Sequence, residues 1–356
     1  MRAKGLIWLV SLFVFAEMSQ VIARTQYEII DLGAGMPCGI NESGGVTGID
    51  MSGEYYQSYY WNRSNGKTYL GALNDDPAST AYGINNSGYV TGSSYSNPYY
   101  GLGQAYVWSE SNGMQYIGTL GGDGSCGMAI NNNGSIAGVS NLPKSSKLSA
   151  FLYTAEEGMM YLGTLGGDTY VRGINDNDAV VGVSNNEAFL WTREGGIQGL
   201  GMLFSEEFAS AAEDINIHQQ VVGWGRRYPT PGTFNRAFLW QNDEMIEIVG
   251  FAENVNTSAY GLNDFGRVVG ESAGSAFIWD SESGMRNLND WVVPSSGVRL
   301  SYAYDINNNG QIIVGGYLNN ERHAFLINPV PEPATVLLLG LGGLVLRRRR
   351  SKVSDK

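Results

Sequence analysis

Short apolar runs separated by polar turns recur along the middle of the chain. The pair Ile-Asn, once Leu-Asn, marks the recurrence, and successive pairs lie 44, 46, 44, 41, 47 and 44 residues apart. The seven pairs are Ile40-Asn41, Ile84-Asn85, Ile130-Asn131, Ile174-Asn175, Ile215-Asn216, Leu262-Asn263 and Ile306-Asn307. Self-similarity at a period of this length is typical of repeat architectures. The sequence therefore predicts seven copies of one structural unit.

Each copy predicts four short β-strands. The first ends in the Ile-Asn pair, the second is an apolar run such as VVG, the third has the form AFLW, and the fourth is a weaker segment such as MQYIG. Runs rich in β-branched and aromatic residues and punctuated by Gly and Asn favour strands over helices. A glycine follows eight positions after the Ile or Leu in six copies. In the seventh it follows nine positions after it, at Gly315, which predicts a one-residue bulge in that strand.

Four strands in each 41–47-residue repeat predict an all-β fold, a seven-bladed β-propeller. The seventh copy ends at residues 324–328 without a fourth strand, and an unmatched strand at 27–33 precedes the first copy. If residues 27–33 complete the last blade, both free sheet edges are covered. The alternatives are an open β-solenoid or two smaller β domains.

The N-terminus has the pattern of a secretory signal peptide. Arg2 and Lys4 precede a short apolar core at residues 5–16. Small or modest residues follow at 21–23, where signal peptidase would cut. We expect cleavage near Arg24, so that residues 1–23 are removed and signal peptidase is a processing partner. The alternative is a retained N-terminal helix, but the apolar core is short for a membrane anchor.

The C-terminus, residues 330–356, combines three features in a fixed order. Pro331, Glu332 and Pro333 precede an uncharged apolar stretch at 334–346, and Arg347, Arg348, Arg349 and Arg350 follow it. Thirteen apolar residues suit transient membrane insertion better than permanent anchorage, with the arginines on the cytoplasmic side. This order resembles the PEP-CTERM sorting signal of Gram-negative bacteria. The resemblance implies recognition by a membrane-embedded exosortase and removal of the tail near Pro-Glu-Pro; the alternative is an ordinary C-terminal anchor.

The repeats of residues 24–329 also resemble a family of bacterial extracellular proteins, the HAF repeats. The tripeptide itself occurs at 323–325, and related tripeptides occur at 236–238 and 187–189. The resemblance agrees with export and with the propeller prediction, and it implies no particular activity.

Charge and cysteine content narrow the partners. The formal net charge is −12, and the two terminal targeting segments contain the basic residues Arg2, Lys4 and Arg347–Arg350. An acidic body of this kind argues against nucleic acid as a partner, since phosphate binding needs clustered Lys and Arg.

Cys38 and Cys126 belong to non-adjacent repeats, so we expect two small buried residues, with a disulfide as the alternative. No Cys/His spacing typical of a metal site occurs.

Catalytic and metal-binding signals are weak. Only two histidines exist, His218 and His323, and nothing places a nucleophile and an orienting acid beside either. Adjacent acids such as those at 75–76, 156–157 and 206–207 could serve glycoside chemistry by composition only. The Asn- and Asp-rich turns offer oxygen ligands for calcium, but Asn equally suits the backbone angles of a tight turn. We therefore expect no catalytic residue, no metal and no cofactor.

One end of the propeller has the composition of a ligand face. The second-to-third and fourth-to-first connections emerge on the same side, and the second-to-third loops are long at 93–104 and 224–236. Aromatic rings cover the apolar faces of sugars, and nearby polar groups orient the hydroxyls. The candidate residues are Tyr95, Tyr99, Tyr100, Trp224, Tyr228, Asp123 and Asp168. The alternative is that these rings only pack the loops.

The sequence therefore predicts an exported surface or extracellular propeller whose tail is processed. Its expected role is non-enzymatic binding of extracellular polysaccharide or of a surface protein in the matrix. The alternative function is a secreted glycan-active enzyme on the same scaffold.

Overall fold

The propeller prediction is confirmed. The computed structural model describes residues 27–97, 102–205, 207–227, 233–292 and 296–329. Within these residues the chain forms seven four-stranded antiparallel sheets, the blades of a β-propeller. The helical pieces of this part of the chain are two short 3-10 turns, Leu73–Asp75 and Leu288–Trp291. The predicted signal peptide and sorting tail lie outside the described residues.

Blades 1 to 6 each use four consecutive strands. Blade 1 contains β2 Met36–Ile40, β3 Val46–Asp50, β4 Gln57–Asn62 and β5 Gly66–Tyr69. Blade 2 contains β6 Ala78–Ile84, β7 Val90–Tyr95, β8 Gln104–Ser109 and β9 Gly113–Tyr116. Blade 3 contains β10 Ser125–Ile130, β11 Ile136–Asn141, β12 Leu148–Thr154 and β13 Gly158–Tyr161. Blade 4 contains β14 Thr169–Ile174, β15 Val180–Ser184, β16 Glu187–Thr192 and β17 Gly196–Gly201. Blade 5 contains β18 Glu207–Ile215, β19 Val221–Arg227, β20 Phe234–Gln241 and β21 Glu244–Ile248. Blade 6 contains β22 Thr257–Leu262, β23 Val268–Ser272, β24 Ser275–Asp280 and β25 Gly284–Asn287.

Blade 7 takes its fourth strand from the start of the chain. It contains β26 Val298–Ile306, β27 Ile312–Leu318, β28 Glu321–Pro329 and β1 Tyr27–Ala34, in that order across the sheet. By contacts, Ile30–Leu326 form one compact unit. The described residues of the second unit are 27–29 and 327–329, where Asn328 Nδ2 donates to Glu28 Oε2 at 3.4 Å.

The core lies between neighbouring blades. Each third strand contributes one aromatic side chain that is at most 1% exposed. These seven side chains are Tyr59, Tyr106, Phe151, Phe189, Phe238, Phe277 and Phe325. Phe189 packs on Leu152 and Val171 in the cluster that joins blades 3 and 4, and equivalent clusters join blades 1 and 2, 2 and 3, 4 and 5, 5 and 6, and 7 and 1. The AFLW-like motif is therefore the core-forming strand of the repeat.

The recurring glycine of the second strand has a steric reason. A Cβ at Gly92 would lie 1.9 Å from the Thr80 carbonyl oxygen of the first strand, and at Gly182 it would lie 1.9 Å from the Tyr170 carbonyl oxygen. Only a residue without a side chain fits this close approach of two backbones.

The bulge prediction for blade 7 was wrong about the strand. Val314 of β27 takes the pairing position of the glycine, opposite Ala303, and the extra residue lies in β26, where the register shifts between Leu300 and Tyr302. The close backbone approach moves to Gly316, where a Cβ would lie 2.2 Å from the Arg299 carbonyl oxygen.

The repeated asparagines form a closed ring of hydrogen bonds. Each Nδ2 donates to the backbone carbonyl of the equivalent asparagine in the next blade, over 2.9–3.2 Å, and Asn307 donates back to Asn41 at 2.9 Å. Each Oδ1 accepts backbone N–H groups of its own turn, as Asn85 Oδ1 does from Ser87 and Tyr89. The residue of that turn with a positive φ is Gly88, three positions after Asn85. The ring asparagines thus join blades, while the left-handed backbone angle predicted for these turns falls on a later residue of each turn.

Candidate functional site

The first strand of each blade lines a central channel, and the channel has two mouths. We call the end with the second-to-third and fourth-to-first connections the loop face, and the end with the asparagine turns the turn face. At the loop face the channel opens into a cavity of about 510 Å³. Its wall includes the residues two positions before each Ile or Leu of the repeat pairs: Cys38, Tyr82, Met128, Arg172, Glu213, Tyr260 and Tyr304. These side chains face the channel because side chains alternate along a strand.

Glu213 is the central polar group of this cavity. Its Oε2 lies 3.5 Å from Arg172 Nε, and its Oε1 accepts a 2.8 Å hydrogen bond from Trp224 Nε1. The Glu213 side chain is 15% exposed and the Arg172 side chain 43%. Burial raises the pKa of Glu213, and Arg172 and the Trp224 hydrogen bond oppose this shift without cancelling it. The site therefore offers a half-buried carboxyl group beside an accessible guanidinium.

Tyrosines form one side of the cavity. The rings of Tyr260 and Tyr304 lie 6.2 Å apart, and the Tyr302 ring stacks 6.2 Å from Tyr304. Burial raises the pKa of Tyr304 to about 12 and also raises that of Tyr260. Both phenols therefore stay neutral and can donate or accept hydrogen bonds from an aromatic wall.

Two half-buried acids, Asp214 and Asp305, also line the cavity. They occupy the position before the Ile of the repeat pair, where the other five blades have Gly or Ala. Asp214 Oδ2 accepts from the Leu262 N–H at 2.9 Å, and Asp305 Oδ2 accepts from the Ile40 N–H at 3.1 Å. Each carboxyl group therefore links its blade to the next. Burial raises the pKa of Asp305 to about 6 and raises that of Asp214, where the charge of Asp305 adds to the effect.

The predicted ligand residues are only partly brought together. Trp224 reaches the cavity through Glu213, and Arg226 covers its ring at 5.0 Å. Tyr95 is partly buried, and its hydroxyl accepts from Thr80 Oγ1 at 3.5 Å. Asp123 and Asp168 are exposed, and Asp168 Oδ1 accepts from the Leu148 N–H at 3.0 Å. Tyr99, Tyr100 and Tyr228 lie outside the described residues, as do Pro331, Glu332, Pro333 and Arg347–Arg350.

Sequence reasoning missed the main residues of the cavity. Arg172, Glu213, Tyr260 and Tyr304 were not singled out because each lies within an ordinary-looking strand. A position-by-position alignment of the seven repeats carries the signal, since charged and aromatic residues collect two positions before the Ile or Leu.

The turn-face mouth is a second, smaller cavity of about 330 Å³. The residues after the ring asparagines surround it: Glu42, Asn86, Asn132, Asp176, Ile217, Asp264 and Asn308. The polar side chains among them accept from the backbone of a neighbouring turn, as Asn86 Oδ1 does from the Glu42 N–H at 2.9 Å, and Ile217 takes part only through its backbone N–H, which donates to Asp264 Oδ1. No group of three or more His, Cys, Asp or Glu suited to a metal ion occurs in the described part of the chain.

The two cysteines are free thiols. Cys126 is buried and Cys38 lines the loop-face cavity, and burial raises the pKa of both thiols to about 12. Thiols with such pKa values are poor nucleophiles at neutral pH. Cys126 is buried as expected, whereas Cys38 is only half-buried, and the two do not form a disulfide.

Neither of the two histidines lines the loop-face cavity. His323 Nδ1 lies 2.8 Å from Asp31 Oδ1 on the outer side of blade 7, and His218 is exposed in a turn. Within the described residues, no helix is long and apolar enough to span a membrane.

Comparison with known proteins bears on the fold and on sorting. The PEP-CTERM protein-sorting motif matches residues 329–351, and it implies export and exosortase-dependent sorting to the cell surface. No curated protein matches the chain in sequence. The HAF-type repeats stay a prediction.

Solved propellers resemble the chain in fold. The β-propeller domain of the Trilobed protease from Pyrococcus furiosus is 11% identical with a TM-score of 0.54, covering 84% of this chain and 99% of that one. Oligogalacturonate lyase from Vibrio parahaemolyticus is 12% identical with a TM-score of 0.50, and the match covers 86% of this chain and 92% of the lyase. The protease domain has an open velcro topology, whereas here β1 completes the last blade. At these identities the similarity shows the fold alone, so the chain is a seven-bladed β-propeller that carries a PEP-CTERM sorting motif.

Proposed function

We propose that this exosortase-sorted protein binds an extracellular polysaccharide at the loop-face cavity and acts as a non-enzymatic matrix protein. The observation that carries the proposal is the tyrosine wall beside the Arg172–Glu213 pair. Aromatic faces cover the apolar side of a sugar ring, and planar charged groups hydrogen-bond to its hydroxyls.

The shape of the cavity favours a sugar chain over a protein surface. A concave site of about 510 Å³ matches the size range of small-ligand pockets. Stable protein interfaces instead bury roughly 800 Å² on each partner and need a broad surface. One or two sugar residues of a longer chain fit such a cavity while the rest of the polysaccharide continues into solvent.

Polysaccharide retention tests this proposal. We expect the exported protein to be retarded by the host's extracellular polysaccharide in affinity electrophoresis, and the double variant Tyr260→Ala, Tyr304→Ala to lose most of the retardation. The matched control replaces Tyr116 and Tyr161 with Ala, since these exposed tyrosines lie on outer strands. Equal retardation of both double variants and the unchanged protein would reject the cavity as the binding site.

A glycan-active enzyme is the second candidate, and Glu213 is the observation that favours it. A half-buried carboxyl group with a raised pKa has the properties of a general acid. Catalysis predicts that Glu213→Gln binds the polysaccharide but stops the release of new chain ends. Binding without any release by the unchanged protein would reject the enzymatic candidate.

A further inference from the structure

A groove on the turn face of blades 5 and 6 is independent of the channel mouth at the loop face. It encloses about 730 Å³ between the asparagine turn of blade 6 and the turn that joins β24 to β25. Phe265, Trp279 and Leu239 provide its apolar surface. Much of its polar surface comes from Gln220, Arg267, Asp280 and Arg286. We call it the Phe265 groove.

Phe265 is an exception among the seven repeats. The equivalent turn positions in the other blades hold polar residues: Ser43, Ser87, Asn133, Asn177, His218 and Asn309. The Phe265 ring is 73% exposed, and its backbone N–H bonds Asn263 Oδ1 at 3.1 Å as other residues of this position do. The turn therefore folds without an aromatic ring, and the fold gives no reason for the phenyl group.

Polar side chains line the groove together with the Phe265 ring. Arg286 Nη2 lies 2.6 Å from Asp280 Oδ2, while its buried Nε has no acceptor among the described residues. Arg267 is exposed and forms no ion pair within that part of the chain. Gln220 Nε2 donates to Gln241 Oε1 at 2.7 Å and fixes the opposite wall.

The charge of the groove is nearly balanced. Arg267 and Arg286 face three acids, Asp264, Asp280 and Glu282. A strongly charged ligand of either sign would meet like charges here. A neutral ligand with an apolar face and many hydroxyl groups meets an exposed ring, guanidinium donors and carboxylate acceptors.

We infer that the Phe265 groove is a second saccharide-binding site, which takes a neutral sugar residue against the Phe265 ring. The inference rests on the proposed function, because it assumes the same class of ligand, a polysaccharide. Two sites at opposite ends of one propeller let a single molecule bridge two polysaccharide chains, and bridging multiplies the apparent affinity for a matrix without new contacts.

Stoichiometry with short neutral sugars tests the inference. The probes are cellohexaose, maltohexaose and chitohexaose, titrated calorimetrically into the purified exported protein. We expect two sites on the unchanged protein, and one site after Phe265→Asn, with binding at the groove weakened at least tenfold. Asparagine occupies this position in three other blades, so the variant keeps a turn that is known to fold. The matched control is His218→Asn at the same position of blade 5, which should keep two sites.

The outcomes separate the groove from the cavity. If Phe265→Asn keeps every site of the unchanged protein, the inference is overturned, and loss of a site in Tyr260→Ala, Tyr304→Ala would still support the cavity. If Phe265→Asn loses a site and the tyrosine variant loses none, the groove stands and the cavity proposal fails. Failure of the unchanged protein to bind any probe overturns the groove inference, whereas the cavity proposal is decided by affinity electrophoresis with the host's polysaccharide.

Discussion

At the scale of single residues, seven asparagines join the blades at the turn face. Each is 3–5% exposed and uses both ends of its carboxamide, Nδ2 toward the next blade and Oδ1 toward its own turn. Aspartate has the same shape but lacks the donor, and its charge is costly in a buried place. The amide, and not only the size of the side chain, is what the position requires.

Asn85→Asp is the direct test of the ring. The substitution leaves the Asn131 carbonyl without its 3.0 Å donor and buries a carboxylate. We expect the free energy of unfolding to fall by about 3 kcal/mol. Chemical denaturation measures it, with Asn65→Asp in an exposed turn as the control. Equal midpoints for the two variants would show that the ring adds nothing to stability.

Asp305 predicts a pH dependence of stability. Its folded pKa is about 6, and an unfolded aspartate titrates near about 3.9. Between these values the folded state binds more protons, so the free energy of unfolding falls as pH rises, by at most about 3 kcal/mol. Asp305→Asn should reduce this fall in thermal stability between about pH 4 and 6 without abolishing it, because burial also raises the pKa of Asp214. Asp123→Asn, an exposed acid, should leave the slope unchanged. An equally steep slope in Asp305→Asn would assign the pH dependence to other groups.

At the scale of elements, the repeat specifies strand order and pairing partners. Glycine in the second strand, the buried aromatic residue in the third and the Ile-Asn pair in the first occur at fixed distances, so four strands could be predicted for each copy. The bulge of blade 7 could not be placed in the same way. The longer interval to Gly315 reflects Val314 at the glycine's usual pairing position, and only the paired backbone shows that β26 holds an extra residue between Leu300 and Tyr302.

Gly182→Ala tests the close approach of the first two strands. The added Cβ would lie 1.9 Å from the Tyr170 carbonyl oxygen, so β14 and β15 must separate locally. We expect a loss of about 2–3 kcal/mol in the free energy of unfolding, as in other overpacked sites. Gly53→Ala is the control, because its nearest neighbour would be 3.5 Å away. A similar small effect in both variants would contradict the steric explanation.

At the scale of the whole molecule, the candidate site arises from positions that are far apart in sequence. Arg172 and Glu213 meet across two blades, and Trp224 reaches Glu213 from the next strand. The sequence predicted a ligand site at the loop face, where the 510 Å³ cavity lies, but it favoured loop residues over the channel-facing positions of the first strands. Closure of the ring decides which of these positions meet, and no single repeat contains that information.

Blade 7 also limits where the sorting tail can be removed. β28 extends to Pro329, and the sorting motif begins at residue 329. A cut within 321–329 would remove backbone partners from β27 and β1 and reopen sheet edges. We therefore expect exosortase-dependent processing to leave residues through 329 intact, and intact-mass measurement of the protein from an exosortase-containing host to show loss of Arg347–Arg350 and of the residues before Arg24. Retention of the four arginines would identify the tail as an ordinary anchor, and a C-terminus before residue 329 would contradict the requirement for a complete β28.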